Sequence, residues 1–401
     1  MQRPQRISLG RRAAITLSTA ALVVGAGAGA AAQTITVQVD ASVAREIARE
    51  IRTAVDHAVV REVGREIGSA IRTAMADVPW REWVRDFPWG DLDVRWGVAG
   101  GGAVWQSRDF PVEQVDRKTH TLALGPSGSL ELRNISGPVS VVAGSGKDVT
   151  IEVVRTSHGR TEADAKLGLE QVTAEVDHRG ERATINARYP DRRGRPNFSV
   201  TVGYTVTAPA GTHITVGGYS TDTTVKGIKG DISIELISGD ITISGATRVS
   251  AAKTYSGKIW IGDIDGDGNV SAGTISGSVT IERVKGRQVS VDSMSGGIIA
   301  RDVNVENAVL KTMNGGIEYG GAISKTGRYE MQTHNGPIRL LVSGSGFELR
   351  AQTFAGEIKP AADVELKNVS MTRTSLRGTA GSGGATIVAT TFSGSISISR
   401  K

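Results

Sequence analysis

"TISGSVTIERVKGRQVSVDSMSGGIIARD", residues 274–302, holds one phrase twice: Ile275-Ser276-Gly277 and Met294-Ser295-Gly296. Two residues after each glycine stands an aliphatic residue, Val279 or Ile298. The glycine recurs as Gly239, Gly257, Gly277, Gly296, Gly315, Gly336 and Gly356, at gaps of 18, 20, 19, 19, 21 and 20 residues. A further copy stands at Gly394, 38 residues on, which reads as two periods with a degenerate turn between. Fixed self-similarity at this spacing marks a stacked repeat array.

The flanking positions repeat as well. Three residues before the glycine stand Thr254, Thr274, Ser293, Thr312, Thr333, Thr353 and Thr391. Two before it stand Ile237, Tyr255, Ile275, Met294, Met313, His334, Phe354 and Phe392. Two after it stand Ile241, Ile259, Val279, Ile298, Ile317, Ile338, Ile358 and Ile396. Each period holds two short alternating strands, with the glycine at the bend, where a left-handed backbone is open to it. "MNGG" and "HNGP" would also suit tight hairpin turns in an antiparallel meander. A meander, however, does not require one residue class at one position in turn after turn. A solenoid does, because each residue lies over its counterpart about 4.8 Å along the axis. The expected fold is all-β: a parallel β-helix or flattened β-roll solenoid with repeats of about 20 residues.

These residues resemble a known family. "LALGPSGSLELRNISGPVSVVAGSGKDVTIEVV" (122–154), "YTVTAPAGTHITVGGYSTDTTVKGIKGDI" (204–232) and "ISGDITI" with its successors are similar to the bacterial β-strand-repeat proteins of the adhesin-like DUF4097 family. The likeness covers roughly residues 110–401, and the Pro209-Ala210-Gly211 turn followed by "SGD"-like repeats is its more specific part. It implies a β-solenoid and an envelope location. It supplies no catalytic residues.

Composition agrees with a turn-rich β protein: 51 glycines, 4% aromatic residues and 39% hydrophobic residues, enough for a packed core. Residues 1–32 read as a secretory signal. Arg3, Arg6, Arg11 and Arg12 precede an apolar stretch from Ala13 to Val24, and Ala30-Ala31-Ala32 offers a cleavage site before Gln33. An uncleaved anchor is the alternative, although alanine and glycine make it weakly hydrophobic. Ala13-Ala14 stands where a twin-arginine leader would carry bulky apolar residues. Of 47 basic residues four lie in the leader, leaving 43 against 41 acidic ones, so no nucleic-acid partner is expected. The sequence has no cysteine. Disulfides and thiol-linked lipid are therefore excluded, and stability must come from packing and strand ladders.

The expected organisation is a signal peptide (1–32), an amphipathic helical segment (33–77), a Trp/Gly/Pro-rich linker or cap (78–107), an N-terminal β region (108–215) and the solenoid repeats (216–401). Within 41–77, Val43, Ile47, Ile51, Val55, Val59, Val63, Ile67, Ile71 and Met75 fall at every fourth position. Arg-Glu pairs lie between them, and Pro79 stops the run. Three fates of that apolar stripe stay open: packing on its own solenoid, self-association into a homo-oligomer, or contact with a membrane surface. Trp80, Trp83, Trp89, Trp96 and Trp105 are candidate binding residues, suited to sugar faces or partners and equally to local packing.

The sharpest candidate for chemistry is "GDIDGDGNVS" (262–271). Asp263, Asp265, Asp267 and Asn269 match the first half of a calcium loop, but Thr274 stands where an EF-hand needs glutamate. A weaker extracellular-type Ca²⁺ turn and a plain Asp/Gly bend are the two readings. His57, His120, His158, His178, His213 and His334 show no metal spacing. The loop around Arg192, Arg193 and Arg195 reads as a solvated turn. No nucleophile elbow, His-Glu-x-x-His or phosphate loop appears. Asp263, Lys253 and Lys258 are the residues a sugar-cleaving solenoid would draft, though nothing in their spacing selects them.

The function expected is therefore non-catalytic: an exported β-solenoid, periplasmic or at the cell surface, for adhesin-like display or glycan binding through rows of Thr, Ser and Asn. An envelope glycan or protein is the expected partner, and no cofactor is expected besides the calcium reading. The alternatives are an envelope scaffold docking through its helix and a polysaccharide-degrading enzyme.

Overall fold

Residues 110–190, 197–344 and 346–400 are described by the computed structural model. They form a 24-stranded sheet coiled into a nearly closed solenoid, with one helix. The amphipathic segment 33–77 and the five tryptophans named above lie outside the described residues, as do Arg192, Arg193 and Arg195.

The described chain begins with β1 (Val112–Leu122) and then lays down a rung, β2 (Ser129–Ser136) and β3 (Val139–Gly144). β4 (Val149–Gly159) pairs antiparallel with β1. Helix α1 (Glu162–Gln171) follows, started by a capping box in which the Thr161 hydroxyl accepts from the Asp164 N–H. Only Ala165 and Gly168 of the helix are buried, so hydrophobic periodicity gave no sign of it. β5 (Thr173–Arg179) and β6 (Arg182–Arg188) make a hairpin, and β7 (Phe198–Pro209) pairs antiparallel with β4. Arg155 ties this end together, donating to Asp116 on β1 and to the carbonyls of Leu169 in the last turn of the helix and of Val172, its C-cap.

β6 and β7 lie in parallel on one side of the β2–β3 rung. β8 (His213–Ser220) and β9 (Thr223–Lys226) lie in parallel on its other side. The first rung in sequence is thus not the outermost rung in space. The sheet runs without a break across position 215, which falls inside β8.

From there the stack is regular. β10 (Ile232–Ser238), β12 (Val249–Ser256) and β14 (Asn269–Ser276) pile up in parallel on one wall. β11 (Ile241–Ser244) and β13 (Ile259–Asp265) pile up on the next wall. The long strands β15 (Val279–Ser295), β16 (Ile298–Asn314) and β17 (Ile317–Asn335) each run from the second wall into the first wall of the following rung. The residues two after each glycine form an inward column: Ile259, Val279, Ile298, Ile317, Ile338 and Ile396 are all buried. Each such side chain contributes roughly 1.5–3 kcal/mol on removal from water.

The far end departs from the sequence reading. β18 (Ile338–Ser343) completes the rung of Gly336, and β19 (Gly346–Ala355) with β20 (Ile358–Pro360) forms that of Gly356. β21 (Leu366–Met371) and β22 (Ser375–Gly381) then form a hairpin beyond β19. β23 (Ala385–Ser393) and β24 (Ile396–Arg400) turn back. β23 pairs in parallel with β17 on one side and β19 on the other, and β24 lies likewise between β18 and β20. Gly394 is therefore not a copy two periods beyond Gly356. Its rung sits between those of Gly336 and Gly356.

The repeated phrase has one cause. From Gly257 on, each phrase glycine lies directly over the glycine of the rung below, while Gly239 lies over Thr221; a Cβ on Gly277 would overlap the Gly257 carbonyl oxygen, and one on Gly296 that of Gly277. The backbone there is also left-handed, with φ +153° at Gly277. The carbonyl pointing up the axis needs a donor, and the buried hydroxyl three residues before the next glycine supplies it. Thr254 bonds to Gly239, Thr274 to Gly257, Ser293 to Gly277, Thr312 to Gly296 and Thr333 to Gly315. The last two bonds follow spatial order: Thr391 to Gly336 and Thr353 to Gly394.

Candidate functional site

The Thr column was expected to offer hydroxyls to a ligand. It does not: these side chains face inward, are buried, and spend their hydroxyls on glycine carbonyls. Asn134 does the same work one end down, its side-chain amide donating to the Val202 carbonyl at 2.8 Å. Its spacing, three before Gly137, was the sequence signal that would have found it.

Alternation turns the next residue outward. The column two before the glycine is an external ladder, which runs in spatial order Ile135, Tyr219, Ile237, Tyr255, Ile275, Met294, Met313, His334, Phe392 and Phe354. Phe354 is 73% exposed, Tyr255 54%, Phe392 43% and Tyr219 36%, while the others are half-buried. The His334 and Phe392 rings stack at 4.8 Å, and Phe392 stacks on Phe354 at 4.8 Å. One position on, a polar row is in register: Ser220, Ser238, Ser256, Ser276, Ser295, Asn314, Asn335 and Ser393. Within it the Asn335 amide donates to Asn314 Oδ1 at 3.0 Å. Apolar groups, with the His334 ring among them, thus run beside hydroxyls and amides along one corner of the array. Exposed contiguous apolar surface of this kind marks contact sites.

A charged row flanks the ladder on its other side. Glu235, Lys253, Asp292 and Lys311 belong to one register column. Lys253 lies 3.6 Å from Glu235, and Lys311 3.7 Å from Glu330. Burial pushes the Asp292 carboxyl above its ordinary range, opposed by Lys311 and Lys253.

The candidate calcium residues are spread along a strand and a bend. Asp263, with φ +56°, accepts from Arg283 at 2.6 and 3.1 Å, and that bond holds its carboxyl below the usual range. Asp265 lies 3.6 Å from Lys285. Asp267 is exposed in the bend, and Asn269, also exposed, opens β14. Among the described residues no three His, Asp or Glu side chains gather where a metal ion could be held. Asp263, Arg283 and Asp302 share positive φ at one corner in successive rungs, a column that sequence inspection missed because none of them is glycine. Trp260, the tryptophan within the described residues, is half-buried on β13 and lies over Gly262. Among the described residues no helix is long and apolar enough to cross a membrane.

No curated protein matches the chain in sequence. Solved structures do match it. A candidate adhesin from Bacteroides fragilis is 10% identical, over 70% of this chain and 96% of its own, with a TM-score of 0.37. A candidate cell adhesion protein from Clostridium sporogenes is 10% identical, over 71% of this chain and 100% of its own, with a TM-score of 0.19. A candidate lipid binding protein from Parabacteroides distasonis is 12% identical, over 71% and 97%, with a TM-score of 0.35. The profile of one family, Toastrack DUF4097, matches residues 127–399, and the chain belongs to that family.

Proposed function

We propose that the chain is an exported, non-catalytic, adhesin-like module of the bacterial envelope, and that its outward ladder binds an extended glycan. The observation that carries this reading is the ladder itself, from Ile135 to Phe354, with the Ser/Asn row beside it. A linear polysaccharide presents apolar C–H faces and hydroxyl edges along its length. A corner with apolar and hydrogen-bonding side chains in adjacent rows matches both. Aromatic side chains give large contact area with little entropy to lose. The reading keeps the Ser and Asn rows of the sequence expectation and puts the aromatic and aliphatic ladder in place of the Thr column, whose hydroxyls are spent inside.

Co-sedimentation tests it. Residues 33–401 and a chain starting at Arg108 are mixed with purified envelope polysaccharide, peptidoglycan and lipid vesicles. Retention of both chains by a polysaccharide is expected, with loss when Tyr219, Tyr255, Phe392 and Phe354 are changed together to Ser. Retention by vesicles alone, or glycan binding untouched by the four substitutions, overturns the proposal.

A further inference from the structure

The C-terminal rung occupies a slot that the rest of the chain builds around it. Between Ala322 on one rung and Tyr329 on the next, the chain takes seven residues to climb a single step. Ser343 is in register with Ala322, and Leu349, in register with Ile387 and thus with Tyr329, lies two steps above Tyr329. The chain covers Ser343 to Leu349 in six residues. It skips a rung without any added loop, and the space skipped, about 4.8 Å of axis, is one strand thick.

Residues 385–400 fill that space from outside. They bond on both faces, as every interior rung does. Gly336 and Ile338 donate from below to the carbonyls of Ser393 and Ser395. Gly394 and Ile396 donate upward to the carbonyls of Ala355 and Glu357. Thr391 bonds to Gly336, Thr353 bonds to Gly394, and Phe392 stacks between His334 and Phe354. The link that delivers the segment is Gly381-Ser382-Gly383-Gly384, which passes close over Gly346 from beyond β19 to its near side. Gly381, Gly383 and Gly384 all have positive φ, at +56°, +72° and +122°. A tight glycine link on a terminal element that is bonded on both sides is the arrangement that exchanges between copies.

We infer that the slot between β18 and β20 is a strand-acceptor site, and that a second copy of this chain can supply residues 385–400 to it. Exchange keeps every bond named above and changes only the path of residues 381–384. The assembly that results is a pair of chains joined by reciprocal C-terminal rungs.

A protease site placed in the 381–384 link of the otherwise full-length chain tests this. The folded protein is cleaved, unfolded in urea, and refolded with an excess of fluorescent peptide 385–401. Uptake of labelled peptide into the refolded protein is expected, with at least a tenfold preference over the same peptide carrying Ile396→Asp and Ile398→Asp. A second variant of the uncut chain lacks Ser382, Gly383 and Gly384, so that its segment cannot reach its own slot. It is expected to elute at twice the monomer mass. Refolded protein with a native circular dichroism spectrum and no labelled peptide overturns the inference. So does a folded, monomeric link-deleted chain.

Discussion

The hydroxyl of Thr333 lies 2.8 Å from the carbonyl oxygen of Gly315, one rung below it. Thr333 is 2% exposed, so water does not replace this bond when it is lost. Thr333→Val keeps shape and removes the donor. It is expected to lower stability by about 1–3 kcal/mol, the penalty for a buried carbonyl without a partner. Thr333→Ser keeps the hydroxyl and should lose only about 0.8 kcal/mol for the missing methyl. Urea midpoints of the two variants decide the matter, and equal losses would mean that packing, not the bond, explains the column.

Glycines at neighbouring positions of the repeat should differ sharply in what they tolerate. A Cβ at Gly277 overlaps backbone that cannot move without shifting the rung below, and its φ of +153° disfavours a side chain. Gly277→Ala is expected to destabilise by roughly 3 kcal/mol or more, the range of strained backbone sites. At Gly297 the nearest atom to an added Cβ is the Gly316 carbonyl oxygen at 3.4 Å. Gly297→Ala should change stability by less than about 1 kcal/mol. Thermal unfolding of both variants checks the contrast, which fails if Gly297→Ala proves the worse.

The rungs were legible in the sequence because stacking imposes the same demands at every step. A carbonyl pointing up the axis requires a small residue above it and a hydroxyl beside it, and both appear as letters at fixed spacing. The order of the rungs was not legible. Gly394 carries the same phrase as Gly336 and Gly356, and nothing in a rung's own residues records which rung lies above it. Only the short passage from Ser343 to Leu349 holds that information, six residues where a full extra turn would need about twenty more. The direction of the Thr column was likewise open, since alternation fixes which residues share a face and not which face is inside. In sequence Asp263 reads as one carboxylate of an Asp/Gly-rich bend, whereas in the fold it holds a left-handed corner bonded to Arg283, twenty residues away.

The outward ladder should be dispensable for folding. Phe354 has 73% of its surface exposed, and its ring stacks on Phe392. Phe354→Ser is expected to cost no more than about 1 kcal/mol, the worth of an aromatic pair. Phe347, 4% exposed on the same strand, faces the core, and Phe347→Ala should cost about 3–5 kcal/mol. Chemical denaturation of the pair separates surface from core. A loss at Phe354 as large as that at Phe347 would mean that the ladder is structural and leaves the proposed contact strip without its basis.

Asp292 gives the sheet a pH dependence of unusual sign. Burial raises its carboxyl above the ordinary aspartate range, and Lys311 and Lys253 offset this only in part. The folded state therefore holds that proton more tightly than the unfolded state. Its contribution favours folding most below the unfolded value, near pH 4, and declines as pH rises through the folded value. Asp292→Asn removes the ionisation and leaves a side chain of the same shape. The variant should be more stable than the parent at pH 7, and the gain should shrink towards zero as pH falls to about 4, where the parent carboxyl is protonated as well. Melting curves of both proteins across that interval check the sign. A variant less stable at pH 7 would show that the two lysines outweigh burial, and that the charged row is held together by Asp292.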